Sequence, residues 1–170
     1  MISLPLSAMA DGDNRLERLM ADLATADEEA APGLVREIEH IWANSGSASM
    51  NLLLQRATDA REAGNSQQAI EHLTALTDHA PDFAEGWQML AVVLFEQQRF
   101  GQSADALERA LALNPQHFGA MRGLGAILEQ VGKPTLAYQV YKRVLDLHPH
   151  DADVLKAVDR LQQQVDGTSL

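Results

Sequence analysis

Cysteine is absent from the 170 residues, which excludes disulfides, thiolate nucleophiles and thiolate metal sites. The absence is neutral on compartment, although such a chain tolerates an oxidising periplasm. Basic residues are scarce. Thirteen Lys and Arg stand against 24 Asp and Glu, a net charge of −11, with −6 in residues 1–46 and −5 in the remainder. Nucleic acid is disfavoured as the main ligand, because phosphate contacts need clustered Lys and Arg. An anionic membrane surface is disfavoured on the same ground. The excess acid serves solubility or suits a basic partner. No stretch reaches the ~18 apolar residues of a membrane helix, yet 46% hydrophobic content is too high for a wholly disordered chain.

Catalytic patterns are also missing. His148-Pro149-His150-Asp151 is the densest set of metal-ligating types, but proline between the histidines and a helix start just beyond leave it short of a fourth ligand. His72 and His79 share a helix face without a carboxylate cage, His117 follows a proline as a turn residue, and His40 lies one step off an apolar stripe. Asp27-Glu28-Glu29 reads as a solvated run in a connector. The serines at 45–49 lack a glycine elbow. Gly123-Leu124-Gly125 lies inside a helix with no preceding strand, so it is no phosphate loop. No enzyme activity, cofactor or metal is expected.

What is present is a period. Pro81, Pro115 and Pro149 stand 34 residues apart, and the residues between them recur. Trp87, Leu90, Ala91 and Leu94 align with Met121, Leu124, Gly125 and Leu128, and with Leu53, Arg56, Ala57 and Ala60. Ala69, Leu73 and Leu76 align with Ser103, Leu107 and Ala110, then with Ala137, Tyr141 and Val144. Spacings of three and four put each set on one helical face. The small residue (Ala57, Ala91, Gly125) lets the paired helix approach. Gly64 and Gly132 end the first helix of their units. The middle unit has Gln98 in that slot, which predicts a strained or altered turn. Pro134 suits the first turn of the next helix.

These residues resemble the tetratricopeptide repeat pattern of Trp-x2-Leu-Gly-x2-Tyr, Ala-x3-Phe and a closing Pro. Three units at 50–83, 84–117 and 118–151 carry the resemblance, the first more loosely because Arg56 and Ala60 replace a leucine and an aromatic. The resemblance implies an all-α, right-handed superhelical α-solenoid. Terminal units need covers. Residues 152–165 read as a capping helix through Val154, Val158, Leu161 and Val165, with Asp151 as its N-cap. Residues 13–46 read as a degenerate repeat-like hairpin, through Leu16, Leu19, Met20 and Leu23 and then Leu34, Ile38 and Ile41. It is expected to cover the open edge of the first unit with Trp42 in the seam. Asn44-Ser-Gly-Ser47 is too short for a free linker, so one continuous domain is expected. Residues 1–12 read as disordered or as a signal-peptide remnant. Ala8-Met9-Ala10 matches an A-x-A cleavage site but no basic n-region precedes it. That points to the periplasm, with the cytoplasm as alternative.

The resemblance also implies a concave groove lined by repeat positions 2, 5, 9 and 12. In the first unit these include Leu54, Thr58 and Arg61; in the second, Gln88, Val92 and Phe95; in the third, Arg122, Ala126 and Glu129, with Arg160 from the cap. Val92 and Phe95 offer apolar surface at mid-groove as an anchor, unless Phe95 packs on the neighbouring helix. The arginines can grip carboxylates, either a partner's or Glu85 and Glu129 nearby. The positions that hold a peptide carboxylate in chaperone adaptors read Leu54, Thr58, Met89, Gly119 and Gly123, so that clamp is not expected. The function implied is a non-enzymatic scaffold that takes a protein or peptide segment in the groove, in the cell envelope if exported. The alternative is a structural subunit that braces a complex through the hairpin or the convex face. Oligomeric state and partner identity stay open.

Overall fold

The structure, a computed structural model, describes the backbone of residues 6–167 and the side chains of 14–164. Nine helices and no strand occur among the described residues: α1 (Leu6–Thr25), α2 (Ala31–Trp42), α3 (Ala48–Glu62), α4 (Ser66–His79), α5 (Ala84–Glu96), α6 (Phe100–Leu113), α7 (Phe118–Gln130), α8 (Pro134–Leu147) and α9 (Ala152–Gly167). α1 begins earlier than residue 13, so the backbone of Ala8-Met9-Ala10 is helical; the side chains there lie outside the described residues.

The period survives in three dimensions. α4, α6 and α8 start and stop at steps of 34 residues. Each ends one residue before a non-helical C-cap (Ala80, Asn114, His148) whose N–H reaches back 2.8 Å to Leu76, Ala110 or Val144. The following proline forces the chain out of the helix there, because its ring clashes with a helical predecessor. Within each unit the turn also repeats. Asn65, Arg99 and Lys133 donate to the carbonyls of Ala60, Leu94 and Leu128 over 2.8–2.9 Å. Gly64, Gln98 and Gly132 take left-handed φ of 75°, 59° and 72°. Of the strained or altered turn expected at Gln98, the strained form occurs. The hydrogen bonds hold the same turn, and only the conformational strain of a non-glycine residue is left.

Helix pairs close on the small residue. Gly125 faces Tyr141 so tightly that a Cβ there would sit 2.4–2.8 Å from the ring. The matching slots of the other units hold Ala57 with Leu73 and Ala91 with Leu107, all buried. The bulkier Tyr141 is matched by the smaller Gly125. The ring cannot easily retreat, because its hydroxyl donates to Glu129 at 2.9 Å. Burial and that bond push the Tyr141 pKa up. Arg160 of α9 closes the set on Glu129 at 2.6 Å.

The N-terminal hairpin departs from expectation. Leu19, Met20, Leu23, Ala31 and Ile38 share one apolar cluster with Phe118, Met121 and Val144 of the third unit and with Val154 and Leu161 of α9. The first unit belongs to a different cluster, and Leu52 on α3 stays 49% exposed. The hairpin thus folds back onto the far end of the stack. The cause is the joint. Gly46 is left-handed at φ 76°. Asn51 accepts from Ser45 N (2.9 Å) and Oγ (2.6 Å) and donates to Asn44 (3.1 Å). That turn sends α2 away from α3. Leu23 and Ile38 are fully buried, contributing about 1.5–3 kcal/mol each. The hairpin's own Arg15–Glu37 pair, with side chains 62% and 53% exposed, adds about 0–1 kcal/mol. That pair lies within the hairpin, so it is burial that holds the hairpin where the joint aims it.

Gly125→Ala is expected to lower stability by about 1–2 kcal/mol, since overpacking against a pinned ring outweighs the helix propensity gained. Gln98→Gly is expected to raise it by about 0.5–1 kcal/mol, the relieved left-handed strain exceeding the added unfolded-state entropy. Denaturant midpoints of the two variants check both signs.

Candidate functional site

α3, α5 and α7 present their groove positions on one side of the stack, and the end of α2 lies against them as a wall. Trp42 stacks on the His117 ring (centroids 4.4 Å apart, planes at 27°) and tilts against Phe118 at 4.8 Å. His117 is buried and caps α7: its Nδ1 accepts from Ala120 N at 3.2 Å. The ring proton therefore sits on Nε2, which donates to Glu85 at 3.0 Å. Further along, His150 Nε2 reaches the Ala26 carbonyl at 3.0 Å. Sequence reasoning read His117 as a turn residue and did not place Trp42 here. No spacing rule links residue 42 to residue 117 across a fold-back.

Three adjoining clefts run beside this wall. The most apolar, of about 320 Å³, gathers Gln88, Val92, Phe95, Arg122 and Ala126 over a floor of Ala91, Leu107, Gly119 and Gly123. Five of the expected groove residues thus meet in one place. The glycines make it deep: a Cβ on Gly123 would press on Leu107 at 3.3 Å, and one on Gly119 would meet the His117 ring at 3.4 Å. Phe95 also packs on Phe100 of α6 at 5.3 Å, so the ring serves both the seam and the cleft. A second cleft, of about 400 Å³, shares Gln88, Val92 and Arg122 with the first and adds Glu39, Trp42, Arg61 and Glu85. Thr58 and Leu54 border the third with His40 and Met89. Leu54 is only 8% exposed, more core than groove.

The arginines are engaged. Arg61 donates to Glu96 through Nε at 2.9 Å, which raises its already high pKa. Arg122 reaches the buried Asp151 at 3.1 Å, tying α7 to the start of α9, where Asp151 also caps Val154 N at 3.1 Å. Glu129 and Arg160 lie beyond the clefts, paired with each other. The Arg160 hydrogen bond, ahead of that from Tyr141, holds the Glu129 carboxyl below its ordinary range. Glu39 is the opposite case: partial burial first, then the Glu85 charge, push its carboxyl upward, against the pull of Arg122 and His117. The His148 and Asp151 side chains stay 3.7 Å apart. Among the described residues no group of three or more His, Asp or Glu could hold a metal ion, and no helix is long and apolar enough to cross a membrane.

An all-helical stack with a 34-residue period, a closing proline and a groove lined by first helices defines a repeat solenoid. The chain belongs to the tetratricopeptide repeat family, whose model matches residues 54–106 and 89–152. A TPR repeat-containing protein of Rhizobium etli is 32% identical over 95% of this chain and 79% of its own length. Among solved structures, MamA shares the fold over 97% of this chain and 87% of its own, with 20% identity and a TM-score of 0.65. The first TPR of Spaghetti (RPAP3), solved with an HSP90 peptide, matches 69% of this chain and 93% of its own, with 22% identity and a TM-score of 0.66.

Beneath the wall, Phe118 packs on His148 at 5.7 Å, and burial pushes His148 below its ordinary value of 6.5. The unfolded chain therefore takes up that proton before the folded one does, and stability is lost as pH falls from about 6.5 toward the folded value. His148→Asn is expected to flatten the decline in melting temperature as pH falls below about 6.5. The Glu129 contribution is lost only at lower pH, below its ordinary 4.5. Thermal unfolding across pH separates the two windows.

Proposed function

We propose that this protein is a non-enzymatic interaction scaffold that holds a segment of another protein in the walled groove. The observation that carries the reading is the half-buried apolar surface of Val92, Phe95 and Ala126 inside a cleft, while the other large side chains of these helices are spent on packing. A cleft of this kind, with a few polar groups at its rim, suits an inserted side chain. Relatives of the fold support it: the Spaghetti domain was solved with a bound HSP90 peptide. The ligand here differs in kind, because Leu54, Thr58, Met89, Gly119 and Gly123 supply no cationic clamp for a terminal carboxylate.

The compartment we attach to this reading is the cell envelope, on the strength of Ala8-Met9-Ala10. A native chain starting at Asp11 in the source organism supports that placement, and one retaining Met1 contradicts it. The bracing alternative keeps the convex face, while the apolar face of the hairpin is already packed on the third unit. Removing residues 1–46 would uncover Phe118 and Met121 and so would not test bracing cleanly.

Phe95→Asp is expected to abolish capture of the native partner, with helicity retained by circular dichroism and a modest loss of thermal stability from the Phe100 contact. Ala126→Phe fills the same cleft without removing a core contact and is expected to block capture equally. Undiminished capture by both variants in a quantitative pull-down would exclude this cleft.

A further inference from the structure

We propose that the segment held in the groove pairs a basic side chain with a neighbouring apolar one, the cation resting at Glu39 and Glu85 and the apolar group entering the Val92–Phe95 cleft. This rests on the groove reading above and names the chemistry of its occupant.

The clefts along the α2 wall carry more acid than base. Arg61 and Arg122 are their two cations, and each is already bound, to Glu96 and to Asp151. Among the described residues neither Glu39 nor Glu85 has a Lys or Arg within ion-pair distance. Glu85 accepts only the Nε2 proton of His117, whose other nitrogen is committed to the Ala120 N–H. Two carboxylates from different helices therefore border one cleft without a cation of their own. Glu39 bears the consequence: desolvation and Glu85 shift its carboxyl upward, and Arg122, beyond ion-pair distance, offsets this only in part. A partner ammonium or guanidinium placed there relieves both.

The two clefts share Gln88, Val92, Gly119 and Arg122, so the acidic and apolar features belong to one continuous surface. An acidic segment gains less, because Arg61 and Arg122 each already face a carboxylate, Glu96 and Asp151, and a further one would add like charge beside it. A basic one displaces nothing. The whole-chain charge of −11 steers the same kind of partner toward the surface and slows any acidic competitor.

The test is selection of a random short-peptide display library on the full chain, followed by affinity measurement with a synthetic peptide of the enriched consensus. Enriched peptides are expected to place Lys or Arg within a few residues of Leu, Ile, Phe or Trp. The synthetic peptide is expected to bind Glu39→Lys about fivefold more weakly than the native chain, with the deficit shrinking at high salt. The Glu39 side chain makes no hydrogen bond or ion pair among the described residues, its backbone carbonyl keeps the Ala43 N–H in the variant, and circular dichroism verifies the fold. Enriched peptides that are acidic or neutral, or basic ones that bind Glu39→Lys undiminished, overturn the inference and leave the groove reading standing. No enrichment at all, or enrichment indifferent to both Phe95→Asp and Ala126→Phe, overturns the groove reading and this inference with it.

Discussion

The contact between Trp42 and His117 organises this molecule. A solenoid of three units would otherwise present an open trough. Here the chain returns on itself, and the indole at the end of α2 lies on a histidine that caps α7 and hydrogen-bonds α5. One ring thereby links three helices from distant parts of the sequence. The hairpin becomes a wall of the groove, and the groove becomes a set of clefts with defined chemistry.

That wall can form only because the stack beneath it is rigid. Each unit places a small residue where its second helix must come close, and the pairs Ala57 with Leu73, Ala91 with Leu107 and Gly125 with Tyr141 conserve the combined bulk of the seam. In the third unit the larger ring brings a hydroxyl, and that hydroxyl draws Glu129 and then Arg160 into a network joining α7, α8 and α9. The end of the stack that receives the hairpin is thus the end with the most polar cross-ties. Arg122 with Asp151 adds another.

The solenoid was legible in the sequence because its determinants are local and periodic. Proline phase, turn glycines and helical spacing each specify the same unit, and agreement between levels marks a chain with one dominant structure. The candidate groove positions came from the family resemblance, and Gln88, Val92, Phe95, Arg122 and Ala126 among them line one cleft. Gln98 shows a local signal read in part: the missing glycine appears as strain at φ 59°, while the hydrogen bonds keep the turn of the other units. The hairpin's destination was not legible. Leu19, Leu23 and Ile38 declare an apolar face but not the surface that receives it, and the stack offered two candidate ends. The choice was made by the Asn44–Asn51 joint and by Phe118 and Met121, features without periodicity. Glu85 was legible beside the groove, but the second carboxylate of that side was not, because Glu39 reaches Glu85 only through the fold-back.

The placement of the hairpin can be read directly from nuclear Overhauser effects of the Trp42 indole. Cross-peaks to the ring protons of His117 and Phe118 are expected. Cross-peaks to Met50 or Leu53 of α3 instead, or none to any residue beyond the hairpin, would contradict the walled groove on which the functional reading stands.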